Sequence, residues 1–146
     1  MGVIFSKLLD LKEGMVFDLG GRRLKILETP GHTSGGCSLI DEKERILFSG
    51  DVCFESILSG RERLADLEKG LQNLKAHEQE YDRNFCGHVA MIDSPWMVFV
   101  SESVLDDALH LCASIRDGSA KIEKGGHQEG MSPEIVCYGK TQMSLY

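Results

Sequence analysis

The sequence predicts an α/β chain of the α+β kind, with a mostly antiparallel sheet covered by helices on one face. Three observations carry that prediction. Two stretches before Gly50 pair apolar runs across short turns, as β-hairpins do. The apolar period then lengthens from two residues to three and four, as on one face of a helix. The chain closes on a further strand-like run, "IVCYGKTQMSLY". At 146 residues, 42% hydrophobic and 27% charged, residues 1–146 read as a single globular domain able to bury about two-thirds of its unfolded surface.

In "MVFDLGGRRLKILE" a Gly-Gly pair separates two apolar-rich runs, which predicts two antiparallel strands over 15–28 with a two-residue turn. "GCSLIDEKERILFSG" repeats the form, with Asp41 to Glu44 as the polar turn between Leu39-Ile40 and Ile46-Leu47-Phe48. In "RERLADLEKGLQNLKAHEQEYD" Leu64, Leu67, Leu71, Leu74 and Tyr81 recur at helical spacing, so a helix is expected with His77 and Glu78 in its last turns. Gly70 costs that helix up to about 1 kcal/mol relative to alanine, too little to overturn the pattern. A second helix is expected from about Ser103 to Asp117, with Val104, Leu105, Ala108, Leu109, Cys112 and Ile115 buried, Ser103 as N-cap and Gly118 as stop. The glycine-rich "KIEKGGHQEGMSPE" reads as a loop.

Composition excludes several function classes. No apolar run approaches the roughly 18 residues of a membrane span, and the opening "MGVIFSKLLDLKEG" lacks the apolar region and cleavage site of a signal peptide. "MGVIFS" fits a myristoylation pattern by letters, but so short a match arises readily by chance. Cys37, Cys53, Cys86, Cys112 and Cys137 are odd in number and form no C-x-x-C pair, as expected of reduced thiols in a cytoplasmic protein. A net charge of −7 argues against binding a phosphate backbone, so nucleic acid is not an expected partner.

Three candidate metal ligands stand just past predicted strands: His32 after "LKILETPG", Asp51 after "RILFSG" and His88 after "YDRNFCG". Each directly follows a glycine, which permits a sharp turn and close backbone approach, and strand ends are where side chains from several loops converge. Imidazole and carboxylate suit Zn²⁺, Fe or Mn. Taken singly, the two histidines could instead hydrogen-bond loop backbone and Asp51 could cap a turn. Cys53 lies two residues beyond Asp51, but the strand-end position belongs to Asp51. His77, His110 and His127 read as surface residues, and Tyr81 and Trp96 as packing groups.

"TPGHTSGG", then "ILFSGD", then "FCGH", with the "DLGG" hairpin ahead of them, resemble the second half of the metallo-β-lactamase superfamily, whose members carry TPGHTxG, LFxGD and a later GH. The resemblance implies half of an αββα sandwich. It implies a two-metal centre, zinc with iron or manganese as alternatives, in which His32 completes the first site, His88 belongs to the second, and Asp51 bridges both as the catalytic ligand. Such a centre holds a hydroxide and polarises a carbonyl or phosphoryl oxygen, so the class implied is hydrolysis of a small-molecule ester, thioester, lactone, amide or phosphodiester. Asp51 stands where the best-known zinc β-lactamases of the superfamily have cysteine, which favours a glyoxalase II-like or lactonase-like hydrolase. Ser34, Gly36 and Cys86 depart from frequent family residues without removing a ligand.

The large departure is the HxHxDH motif of the family's first half: no histidine precedes His32. The chain therefore resembles the C-terminal part of the domain. An inner sheet face built from Val16, Leu24, Ile26, Leu39, Ile46 and Phe48, or their alternate neighbours, is then expected to be open to water and to associate. The expected partner is a second copy or a complementing N-terminal half. A non-catalytic remnant acting only as a folded association module is the alternative to a metal-dependent hydrolase.

Overall fold

The structure, a computed structural model, describes residues 9–60, 63–87, 100, 102–124 and 134–146. Strands β1 (Val16–Asp18), β2 (Arg23–Glu28), β3 (Cys37–Asp41) and β4 (Ile46–Gly50) come first. β5 (Ser56–Ser59), α1 (Leu64–Ala76), β6 (Arg83–Cys86) and α2 (Val104–Asp117) follow, and β7 (Glu123–Lys124), β8 (Glu134–Tyr138) and β9 (Thr141–Leu145) close the chain.

The α+β class is the expected one, and both early hairpins form. Gly20 and Gly21 make a two-residue turn, closed by Leu19 N–H to the Arg22 carbonyl at 2.8 Å and by Gly20 N–H to Asp18 Oδ1 at 2.9 Å. In the second hairpin Asp41 ends β3, and its Oδ1 accepts the Lys43 and Glu44 N–H groups at 3.1 Å each, a local side-chain turn that explains an aspartate there.

The strands divide between two sheets, β1-β2-β3-β4-β6 and β5-β9-β8-β7. The first is antiparallel except for the parallel β4–β6 pair. β5, "SILS", is too short to show a period, and its parallel pairing with β9 joins distant parts of the chain. The closing run forms the expected hairpin, β8 with β9, and part of the expected glycine-rich loop becomes β7 on β8.

Register decides the faces of the first sheet. Lys25, Ile40 and Leu47 share one row, and Leu27 stands on the same face. Leu27, Ile40 and Leu47 pack into one core with Leu67, Leu71 and Leu74 of α1, Val104, Ala108, Leu111 and Cys112 of α2, and Ile57, Val136, Met143 and Leu145 of the second sheet. Each of these large side chains contributes about 1.5–3 kcal/mol by burial. The opposite face carries Phe17, Leu24, Ile26, Leu39, Ile46, Phe48 and Phe85. Two expectations for that face change. Val16 lies opposite Lys25 on the helix side, so Phe17 takes its place, and the face is not open to water, because Ile26, opposite Leu39, is fully buried and only Phe48 of these seven is exposed.

α1 is shorter than its apolar pattern. It ends at Ala76, His77 caps it, and a 3₁₀ turn over Glu78–Glu80 follows, so His77 and Glu78 lie beyond the helix. Tyr81 is extended and reaches the core from outside the helix, donating its hydroxyl to the Leu74 carbonyl at 3.1 Å. α2 runs as expected from Ser103 to the left-handed Gly118, but its buried stripe centres on Leu111, with Leu105, Leu109 and Ile115 partly buried at its margins. Ser103 donates its hydroxyl to Asp107 Oδ2 at 3.1 Å and caps no backbone N–H. Asp107, almost buried, also accepts Lys140 N–H at 3.0 Å and so ties the β8–β9 turn to the helix.

Candidate functional site

His32 and Asp51 meet at one end of the first sheet, where β2 and β4 finish. The loop leaving β2 is pinned from both sides. Thr29 is buried, with its N–H donating to the Gly36 carbonyl at 2.9 Å and its hydroxyl 2.8 Å from that of Ser38. On the helix side, a Cβ at Gly31 would lie 2.7 Å from Leu67 Cα, and one at Gly70 would strike the Pro30 carbonyl oxygen. The "TPG" segment therefore rests directly on the backbone of α1, and Gly70 is there for that contact, a role invisible in helix propensity.

His32 Nδ1 lies 3.3 Å from the Leu58 carbonyl of β5. A carbonyl only accepts, so this contact places the proton on Nδ1 and leaves the Nε2 lone pair free to act as a ligand. Nε2 is 3.9 Å from Asp51 Oδ2, and both side chains are about one-third exposed.

Asp51 is aimed by a break in the sheet. The β4–β6 register shifts between Phe48 and Gly50, a bulge that turns the strand end, and Gly50 with φ +58° completes the turn. Ser49 donates to the Cys53 carbonyl at 3.0 Å and holds the loop that follows. Gly87 then lies against the Asp51 carboxylate so closely that a Cβ there would collide with Oδ1, while its N–H donates to the Gly50 carbonyl at 2.8 Å. Gly87 thus makes room for the neighbouring strand's aspartate.

Position 88 lies outside the described residues, as do Trp96 and His127. The structure brings together two of the three expected ligands and describes nothing of the third. Cys53 is buried in the core, where burial, with Glu55 and Cys86 nearby, pushes its thiol up to about 12. All five cysteines are free thiols. His77 is partly covered, its Nδ1 2.9 Å from the Asn73 carbonyl, and His110 stacks on Tyr138 with centroids 3.7 Å apart.

A small cleft of about 130 Å³ opens at His32 and Asp51, with Thr33, Cys37 and Ser49 among its walls. A larger cavity, about 430 Å³, lies at the opposite end of β4 and β6 over Leu47, Tyr81, Asn84 and Leu105. Among the described residues its lining has no histidine, and its lysine, Lys75, already pairs with Glu78 and Asp106. Chemistry, and not size, singles out the smaller cleft. Among the described residues no group of three or more His, Cys, Asp or Glu side chains could hold a metal ion. One imidazole and one carboxylate are donors of the right kind, but a zinc centre takes three or four protein ligands, so these residues alone do not hold one. No described helix is long and apolar enough to cross a membrane.

Comparisons with known proteins agree with the motif order. The model of the metallo-beta-lactamase superfamily matches residues 1–88. The acyl-coenzyme A thioesterase MBLAC2 of Gallus gallus is 47% identical over 45 residues, which are 31% of this chain and 16% of that protein. A hydroxyacylglutathione hydrolase of Rhodopseudomonas palustris (strain HaA2) is 36% identical over 83 residues, 55% of this chain and 32% of its own length. Among solved structures, a metallo-beta-lactamase from Staphylococcus aureus subsp. aureus COL has a TM-score of 0.58 at 20% identity, over 80% of this chain and 39% of its own. The match spans less than half the length of each of these proteins.

Proposed function

Because the chain belongs to the metallo-β-lactamase superfamily, we propose that it is the ligand-bearing C-terminal part of a metal-dependent hydrolase of an ester, thioester or lactone. Thioesters come first among these because a thioesterase stands among its relatives. The observation that supports the reading is the His32–Asp51 pair, 3.9 Å apart, on loops that converge where β2 and β4 end. His88 is the third proposed ligand, and the remaining donors come from outside the described residues. Zinc is the proposed metal, with iron or manganese as alternatives suited to the same donors.

The contribution of the described residues is to orient these two donors. The Leu58 carbonyl fixes the imidazole tautomer so that Nε2 faces the cleft, and the bulge, Gly50 and Gly87 hold the Asp51 carboxylate beside it. Orienting contacts of this type commonly contribute 10–100-fold in metal affinity or activity.

The test is elemental analysis of the purified protein after growth with added zinc, iron and manganese, together with hydrolysis of an acyl-coenzyme A thioester. Bound metal that is lost in His32→Ala and Asp51→Ala, with circular dichroism unchanged, supports the reading. Metal retained in both variants overturns it. A folded protein with neither metal nor hydrolysis favours a non-catalytic association module.

A further inference from the structure

We infer that Asn84 is a positioning residue for Asp51, its side-chain amide clamping the turn that carries the carboxylate. The inference rests on the proposed function only for what Asp51 is positioned to do, which is to hold a metal ion. By register Asn84 of β6 extends the row of Lys25, Ile40 and Leu47 on the side of the first sheet that faces the helices. Leu47, Tyr81, Val100 and Leu105 share the wall of the large cavity with it. A leucine would suit such a place, whereas an amide has both donors and an acceptor to satisfy there. Its Nδ2 donates to the Cys53 carbonyl at 3.1 Å. Its Oδ1 is buried and finds no hydrogen-bond partner among the described residues. The amide cannot turn over, because that would set Oδ1 against a carbonyl oxygen. A buried acceptor left unpaired costs stability, so what Asn84 supplies is the grip of Nδ2 on Cys53.

The Cys53 carbonyl closes a turn with Asp51 at its middle. Val52 N–H donates to the Ser49 carbonyl at 3.4 Å, and the Ser49 hydroxyl donates to the Cys53 carbonyl at 3.0 Å. Asn84 brings the second donor to that oxygen, which uses both of its lone pairs. Val52, Cys53 and Phe54 are buried. Packing holds their side chains in place, while the hydrogen bonds set the tilt of the peptide planes and hence the aim of Asp51. The segment of β6 and the glycine after it thus grips the turn on both sides of the aspartate. Gly87 N–H holds the Gly50 carbonyl at 2.8 Å, and Asn84 holds the Cys53 carbonyl. The first grip is made by backbone, and the second depends on one side chain.

Asn84→Leu removes the donor and the unpaired acceptor together and leaves the Cys53 carbonyl its bond from Ser49. The variant is therefore expected to melt at or above the wild-type temperature. The carboxyl carbon resonance of Asp51, read by nuclear magnetic resonance in metal-free protein, is expected to shift. Zinc affinity, measured by calorimetric titration with zinc chloride, is expected to fall about tenfold or more. Loss of zinc without loss of stability is a split that a merely structural asparagine does not produce. Should the leucine variant fail to fold, Asn84→Ala, which cannot overpack the site, carries the same expectation for Asp51 and for zinc. An Asp51 resonance that stays in place in a folded variant overturns the inference, and so does an unchanged zinc affinity. If the wild-type protein takes up no zinc, the proposed metal centre falls, and the Asp51 resonance, which needs no metal, still decides the place of Asn84.

Discussion

Gly87 and Asp51 show how a single hydrogen in place of a methyl can position a carboxylate. A Cβ at position 87 would occupy the space of Asp51 Oδ1, so Gly87→Ala is expected to displace the aspartate without unfolding the sheet. Under the proposed function, metal retention should then fall at least tenfold, on the scale of lost orienting contacts, while the far-ultraviolet spectrum is unchanged. Arg45 is the one described non-glycine residue with positive φ, +54°, at the end of the β3–β4 turn. It is held there by Nε and Nη2 on the two Asp82 oxygens at 2.8 and 2.9 Å, and by Nη2 on the Gln79 carbonyl at 2.8 Å. The hydrogen bond from Arg45 lowers the Asp82 carboxyl below its ordinary value, with the guanidinium charge adding to it. A carboxyl depressed in the folded state contributes its stability above the unfolded value of about 3.9 and loses it as pH falls through the lower folded value. The melting-temperature difference between wild type and Asp82→Asn should thus be constant from neutral pH to about 5 and close below about 4. The pair is exposed, so the difference is small. The pairing of Arg45 with Asp82 was not legible in the sequence, because it joins a turn to the residue before β6, which only the fold makes its neighbour.

At the scale of elements, α1 and the loop after β2 are one unit. Helix propensity alone predicts that Gly70→Ala stabilises α1 by up to about 1 kcal/mol. The Pro30 carbonyl and the Thr29 backbone occupy the space of the new methyl, and overpacking of this kind costs about 1–3 kcal/mol. The substitution is therefore expected to lower stability in a denaturant melt, and a rise would show that the loop yields easily. Leu71, fully buried in the middle of the same face, is expected to cost about 2–5 kcal/mol on truncation to alanine. The leucine spacing made the existence and buried side of α1 legible. Its end was not, because Tyr81 continues the helical spacing while reaching the same core from an extended segment.

Across the whole molecule, the last five-residue strand is central and not peripheral. β9 pairs with β5 on one side and β8 on the other, and it contributes Met143 and Leu145 to the core. Burial of two such side chains is worth about 3–6 kcal/mol, a large part of the roughly 5–15 kcal/mol that keeps a domain folded. Removing residues 141–146 is expected to abolish the cooperative thermal transition by circular dichroism. A truncated chain that still melts cooperatively would contradict the place assigned to β9. The His32–Asp51 pair belongs to this scale as well, since His32, carried by the β2 loop and braced by β5, meets Asp51 only when both sheets are in place.

By itself the sequence determined the two early hairpins, the apolar face of α1, and the motif order that places His32 and Asp51 just beyond strands. Those features are local: turn residues, side-chain period and glycine steps act over a few neighbouring positions. Tertiary structure alone decided that β5 pairs with β9, that Phe17 and not Val16 joins the face away from the helices, that a bulge aims Asp51, and that Gly70 and Gly87 are needed for what packs against them. Each of these depends on groups far apart in the chain meeting at van der Waals or hydrogen-bond distance, a condition that no short stretch of residues encodes.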